Sequence, residues 1–467
     1  MLGVLATAIN GCAALARSKA TALNLGPQGV GLIAEIQQLL TLLSVPAAAL
    51  TGAALTRRLV AARQSGGMTE FREQTRSAAT TTLLVTLLAA FAGAICGPFV
   101  LEVSFSELAP IIGLAGLAAA AAATLGVYAQ TLLVTGDLQR AFTATSINTL
   151  LGAALAVVGL LAFGLAGFFV GPLIAAVVAF VVAVNFARKS VIDGSWWPVL
   201  RVDPVFIQMA IRLGGASLVG TFLVQLSLST IRLSLGKVGG HSLNGVFQAA
   251  WALDSLFMSA LTSGLASYFF PRFAAATSPE ALQSEVDRAL KFAMVIGPPA
   301  ILLLTASRSF AVAIAYSSDF HEAASLLGLF AVGNMLRLVG WVYAGPLLYR
   351  DKVRAFLVGD VTAAGILGGV SFLLVPKLGL VAVGIAQIAM YVVYLLVTRY
   401  QARQALGLKT HWASALIALA LATLTLGLWF ITEQWPWAWW AAAVVSLVAG
   451  ISSGAHRQLL MLVRRPR

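Results

Sequence analysis

Residues 141–189 read AFTATSINTLLGAALAVVGLLAFGLAGFFVGPLIAAVVAFVVAVNFARK. Arg140 stands before this stretch, Arg188-Lys189 closes it, and no charged residue lies between. A helix needs about 20 apolar residues to cross ~30 Å of hydrocarbon. The stretch is therefore two crossings, 141–163 and 167–187, turning at Gly164 to Gly167. Helix is the conformation expected, because backbone groups in lipid must bond within their own segment. A barrel would instead show short alternating strands.

The same pattern extends to both ends of the 467 residues. Spans are expected at 1–23, 29–56, 77–101, 108–134, 141–163, 167–187, 208–235, 242–270, 288–306, 322–348, 354–374, 379–398, 412–431 and 437–460. The first is read as a span and not as a removed leader, since it reaches Arg17 and Lys19 before its turn. Sixty per cent of residues are hydrophobic, ten per cent are charged, and the mean hydropathy is +0.92. That leaves too little polar surface to cover a water-soluble domain. Cys12 and Cys96 lie in apolar runs and are read as small core residues, with no disulfide framework.

Alternate connections differ in Lys and Arg. One set, including Arg57, Arg63, Arg188, Arg350 and Arg403, carries most of them, whereas the other carries only Lys237, Arg308 and Lys377. The rich set is assigned to the cytoplasm, which places both termini there and requires an even number of spans. The net charge of +13 then reflects this bias and anionic headgroups, not nucleic acid. The basic stretch from Thr56 to Ser77 reads as a short amphipathic helix on the cytoplasmic surface. Trp196 and Trp197, and on the outer side Trp435, Trp437, Trp439 and Trp440, read as interfacial anchors.

Ionisable side chains within spans cost at least ~2.5–3.5 kcal/mol each, so they turn towards partners or a wet cavity. They are Arg17 and Lys19 on the first span, Glu35 on the second, Arg212 and Arg232 on the seventh, Asp254 on the eighth, Arg337 on the tenth and Asp360 on the eleventh. Arg17, Lys19, Arg212 and Arg232 have a second reading as snorkelling residues, for which Arg337 lies too deep. Asp254 and Arg337 have one as a structural ion pair, and Asp360 as an interfacial residue. Glu35 falls at a depth that suits pairing with Lys19 or Arg17. Asn334 shares a helix face with Arg337. The surplus of cations suits an anionic substrate, because guanidinium pairs bidentately with phosphate oxygens. Leu25-Gly26 followed by Gly31 and Gln37-Gln38 echoes Leu235-Gly236 followed by Gly245 and Gln248, six spans later, with spacing that differs by four residues. That pairing suggests two parallel six-span halves. No nucleotide loop, metal-ligating His pair or CxxC occurs, so neither catalysis nor a metal or other cofactor is expected.

The motifs also carry a resemblance. Ser18-Lys19-Ala20 through Leu25-Gly26-Pro27-Gln28-Gly29-Val30-Gly31-Leu32 to Gln37-Gln38, Asn244-Gly245-Val246-Phe247-Gln248 with Trp251, Tyr268-Phe269-Phe270-Pro271-Arg272, and Gly333-Asn334-Met335-Leu336-Arg337 with Trp341 resemble Wzx-type lipid-linked oligosaccharide flippases. The resemblance is to their O-antigen and enterobacterial-common-antigen branch, within the multidrug/oligosaccharidyl-lipid/polysaccharide exporter superfamily. It implies an all-α polytopic membrane protein of about 14 transmembrane helices, with two six-helix lobes in a V around a central cavity plus a C-terminal helix pair. The lobes would be 1–190 and 208–405, joined by a cytoplasmic linker at 191–207, with the extra pair and a basic tail at 406–467.

The implied function is movement of undecaprenyl-diphosphate-linked glycan, such as an O-antigen unit, from the inner to the outer leaflet of a bacterial inner membrane by alternating access. H⁺ or Na⁺ would be the coupling ion, with membrane lipids, a polysaccharide polymerase and a chain-length regulator as partners. Arg17, Lys19, Arg232, Arg337, Asn334 and Gln248 are the expected substrate contacts. Glu35 and Asp254 are the expected charge partners or ion-coupling groups. Asn334 departs from the acidic residue that family members often carry there, and the last two spans exceed the twelve typical of that branch. A multidrug antiporter or lipid II flippase of the same superfamily is the alternative. A glycan polymerase or ligase needs a large outer loop, and the longest outward connection, about 307–321, is short for one.

Overall fold

The computed structural model describes residues 2–51, 53–65, 67–191, 195–198, 204–350, 352–409 and 412–431, with isolated positions 435, 440, 441, 443, 444 and 448. Among these the protein is helical, without a strand. The helices are α1 (Leu2–Thr51), α2 (Ala53–Ser65), α3 (Gly67–Val100), α4 (Phe105–Thr135), α5 (Leu138–Val191), α6 (Pro204–Ala275), α7 (Pro279–Ala306), α8 (Arg308–Ala315), α9 (His321–Tyr349), α10 (Val353–Leu378), α11 (Leu380–Leu406) and α12 (Trp412–Ile431). Ten helices among the described residues are long and apolar enough to cross a membrane.

Three of those ten are pairs joined at a kink. The backbone breaks at Gly26 (φ 61°, ψ −168°) in α1, at Gly164 (φ 63°, ψ −144°) in α5, and at Gly239-Gly240 in α6, where Gly240 has φ 65° and ψ −164°. Only glycine enters this region without steric cost. Among the described residues the three breaks divide these ten helices into thirteen segments; of the expected span 437–460 only isolated positions are described, and Trp437 and Trp439 lie outside the described residues. The kink in α6 corrects the internal echo. The partner of Gly26 is Gly240 and not Gly236, and each is then followed five residues later by a glycine, Gly31 and Gly245. The glycine spacings then agree, while Gln248 stands eight residues after its kink and Gln37-Gln38 eleven and twelve after theirs.

The chain divides into two compact units, Met1–Ser229 and Thr230–Arg467. In the first, α3 and α4 pack on α1 and α5 around two apolar clusters. The buried face of α3 is lined with threonines. Thr75, Thr80, Thr81 and Thr86 return their hydroxyls to carbonyls one turn back at 2.8–3.1 Å, which satisfies those four hydroxyls within the helix. Leu88, Phe91 and Phe99 point outward from the same helix, as a lipid-facing surface requires.

The basic segment between the second and third spans is helical as α2 and continues into the first turns of α3. Leu55, Leu59 and Ala62 are buried while Arg57 and Arg63 are exposed. Trp196 is not an interfacial anchor. It is 1% exposed, packs edge-on against Phe71, and its carbonyl accepts the Tyr128 hydroxyl. Trp197 beside it is exposed, as an anchor should be. Cys12 and Cys96 are both exposed, not core residues; they lie on outward faces of α1 and α3.

In the second unit α9 is the central helix, buried along nearly its whole length between α7, α11 and α12. α12 is tied in at both ends. Gln283 and the Lys409 backbone exchange hydrogen bonds of 3.2 and 2.8 Å, Tyr343 and Ser414 are bonded at 3.0 Å, and the Trp429 indole donates to the Ser325 carbonyl at 3.1 Å. The outward connection expected at 307–321 holds the short helix α8 and a 3₁₀ turn at Ser318–Phe320.

Candidate functional site

Polar interior positions gather separately within each unit. In the first, a cavity of about 450 Å³ lies among the two halves of α1, α4 and the two halves of α5. Its walls are rich in alanine, with Phe168, Phe169 and Pro172. Its polar lining comprises Gln37, Thr41, Ser44, Asn148 and Thr149, and its one charged lining residue among those described is Arg17. The Arg17 guanidinium stands 5.9 Å from the centroid of the Phe168 ring. Arg17 therefore lines a cavity within its own unit, where snorkelling to a headgroup would have placed it outward. Glu35 is 6% exposed and Lys19 half-buried on the same broken helix.

One polar contact in this unit was not expected from the charges. The Gln38 amide donates to the Gln225 carbonyl at 3.0 Å, to the Gln225 side-chain oxygen at 2.9 Å and to the Ser229 hydroxyl at 3.4 Å. It ties the second half of α1 to α6. The side chain of Arg212, on the same stretch of α6, lies outside the described residues.

In the second unit Arg232 is 6% exposed, donates to Gln248, and lies 5.2 Å from the Phe247 ring centroid. The Asn244 amide donates to the Arg232 carbonyl at 2.8 Å, across the kink at Gly239-Gly240. The expected contacts Arg232 and Gln248 are thus neighbours. Phe247, Trp251 and Phe330 continue as a run of ring contacts at 5.9 and 6.1 Å.

Asp254 and Asn334 are 2% and 1% exposed, and the Asn334 amide donates to a carboxylate oxygen of Asp254 at 2.6 Å. The direct partner of Asp254 is this amide, and Arg337 acts on the carboxylate through its charge while lying 5.6 Å from the centroid of the Tyr391 ring. The expected trio of Asp254, Asn334 and Arg337 is therefore assembled, with the amide, not the guanidinium, in direct contact. Gln387, which the charge pattern could not flag, is buried beside them; neither of its amide atoms reaches full hydrogen-bond geometry.

Residues 28–325 match a family described as polysaccharide biosynthesis protein. The Lipid III flippase of Escherichia coli (strain K12) is 22% identical over 150 residues, 32% of this chain and 36% of that protein; the match spans about a third of that relative's length. Among solved structures, a multidrug resistance MATE family transporter of the MOP superfamily in an inward-facing conformation superposes with a TM-score of 0.68 at 16% identity. It covers 86% of this chain and 95% of its own. The lipid II flippase MurJ in an inward closed conformation gives 0.67 at 10% identity and covers 98% of both chains. The fold is shared with a multidrug transporter and a lipid II flippase alike, so the O-antigen branch is not singled out. With well over half its length matched, the chain belongs to the polysaccharide biosynthesis protein family and has the all-helical membrane fold of the MOP transporters.

Proposed function

We propose that the protein is a transporter that moves a polyprenyl-diphosphate-linked oligosaccharide, with undecaprenyl as the lipid, from the cytoplasmic to the periplasmic leaflet of a bacterial inner membrane. It does so by exposing its polar interior alternately to the two sides. The observation that carries this reading is the placement of three interior arginines. The unit-1 cavity has Arg17 as its charged lining, and Arg232 and Arg337 are held inside the second unit against aromatic rings. Such sites favour phosphate oxygens. Lys19 adds a further cation, Asn334 and Gln248 supply amides, and Glu35 and Asp254 act as counter-charges in the empty protein. The proposed arrangement is fourteen crossings, in lobes of 1–190 and 208–405 with an added pair after 406. Both termini face the cytoplasm on the Lys/Arg bias.

One observation favours a second reading, a multidrug antiporter: the MATE superposition is as good as the MurJ one. Liposomes holding the purified chain decide between them. Movement of a fluorescent undecaprenyl-diphosphate sugar to a quencher-accessible leaflet, lost in Arg17→Ala and Arg337→Ala with folded protein retained, supports the flippase. Movement of a cationic dye without the lipid-linked sugar supports the antiporter and rejects the flippase.

A further inference from the structure

The second unit contains a row of polar groups that reaches beyond the Asp254 site. Gln387, Tyr391 and Tyr394 are spaced by four and three residues and share one face of α11. Opposite them, Gly333, Asn334, Arg337 and Gly340 share one face of α9.

The glycines make room for the tyrosines. A Cβ on Gly333 would lie 3.0 Å from the Tyr391 ring, and one on Gly340 would lie 2.8 Å from the Tyr394 ring. From the other side, a Cβ on Gly359 of α10 would lie 3.6 Å from Tyr394. The two rings are thus seated against helix backbones, with centroids 6.5 Å apart and planes at 79°. Asp360 is the residue after Gly359, and Asn334, the residue after Gly333, is bonded to Asp254. Two carboxylates on different helices therefore stand at the two ends of a tyrosine pair.

We propose that this row is a proton route joining Asp254 to Asp360, and that the coupling ion of the transporter reading, on which this rests, is H⁺. One proton leaves the Asp254 carboxyl group; the Tyr391 and Tyr394 hydroxyls each take a proton and give one up; Asp360 receives one on a carboxylate oxygen. No electrons move and no co-reactant is consumed. Asp360 lies seven residues into α10, about 10 Å from its start, which the Lys/Arg bias places at the cytoplasmic side.

Arg337 explains the choice of ion. Its fixed positive charge stands 5.6 Å from the centroid of the Tyr391 ring and one turn along α9 from Asn334, the partner of Asp254. A metal cation at the same carboxylate would meet that charge at short range in a medium that screens poorly. A proton abolishes the carboxylate's charge and leaves Arg337 uncompensated, ready for an anionic substrate. Among the described residues, the charged and titratable groups facing the row are Asp254 of α6, Arg337 of α9, Asp360 of α10 and the two tyrosines of α11. Asp287 of α7 and Arg399 of α11 face Tyr343, nearly a turn beyond Gly340.

The full chain in sodium-free liposomes, with a pH dye inside and undecaprenyl-diphosphate sugar in the membrane, tests the route. Tyr394→Phe keeps the ring in its slot and removes only the hydroxyl. It and Asp360→Asn should slow substrate-dependent proton movement on the order of a hundredfold, with melting temperature and binding of the lipid-linked sugar unchanged. Wild-type proton rates in both variants, or sugar movement that needs Na⁺ and carries no protons, would overturn the route and leave the flippase reading standing. Proton movement that is independent of the sugar but still lost in both variants would support the route and overturn the flippase reading.

Discussion

The bond between Asn334 and Asp254 can be weighed with a double-mutant cycle of Asn334→Ala, Asp254→Ala and both together. Two numbers compete for its strength. Hydrogen bonds between membrane helices average ~0.6 kcal/mol and reach ~1.7. Bonds to a charged group contribute about 1.5–3 kcal/mol net. The Asn334–Asp254 distance is 2.6 Å, both side chains are almost fully buried, and the acceptor is a carboxylate under the field of Arg337. That geometry belongs to the charge-assisted class. The expected coupling is about 2 kcal/mol, roughly 30-fold in the folding equilibrium.

Reversible unfolding in mixed micelles, followed by helical circular dichroism, measures it. The cycle also reports protonation. Where Asp254 carries its charge, the coupling should sit near 2 kcal/mol; in acid, once the carboxyl is protonated, it should fall towards the ~0.6 kcal/mol of a neutral pair. A coupling under about 0.5 kcal/mol throughout, below the ~0.6 kcal/mol of an ordinary membrane pair, would show that the two side chains are not bonded in the folded protein. The charge-balancing role given to Asp254 would then lose its basis.

Three further outcomes are expected. Gly167→Ala should cost at least ~1–3 kcal/mol and reduce the yield of folded protein, because its Cβ would lie 2.0 Å from the Gly159 carbonyl oxygen; Gly126→Ala, where a Cβ meets nothing within 4 Å, should melt as the wild type does or slightly higher. Trp196→Ala should cost ~3–5 kcal/mol, while Trp197→Ala should stay within about 0.5 kcal/mol, a contrast that paired thermal melts in detergent would read directly. Arg17→Ala should abolish sugar movement in the liposome assay, and Arg17→Lys should restore part of it, since lysine keeps the charge but loses the planar fork and the contact with the Phe168 ring.

Most of the helical order was legible because lipid imposes one rule on every residue. A run such as 141–187 has no other way to satisfy its backbone, and its glycine turn at Gly164 stands where the sequence put it. The break in α6 falls between the expected spans 208–235 and 242–270, but the glycine chosen for the internal echo was four residues off, because Leu235-Gly236 imitates Leu25-Gly26 by composition, whereas the break needs positive φ and occurs at Gly240. Trp196 was misread for a related reason. A tryptophan beside basic residues at a span end has the composition of an anchor. Whether it turns outward depends on whether partners such as Phe71 and Tyr128 leave a slot for it, and no local pattern encodes that.

The candidate site was legible where it carried charge, or where an amide such as Asn334 or Gln248 lay in a motif of the family resemblance. Asp254 and Arg337 announced themselves because an ionised group in a span is expensive, and that cost is a signal. Gln38, Gln387, Tyr391 and Tyr394 cost little one at a time, so in sequence they look like any polar residue of a membrane helix. What sets the tyrosines apart is the pair Gly333 and Gly340, two turns apart on another helix, and glycine is frequent throughout this chain. Neither half of that fit means anything alone; the meaning lies in the register between α9 and α11, which only the packed unit fixes. A charge count therefore finds the fixed ends of a buried polar row and passes over its middle. That middle is where a proton, unlike a metal ion, can travel.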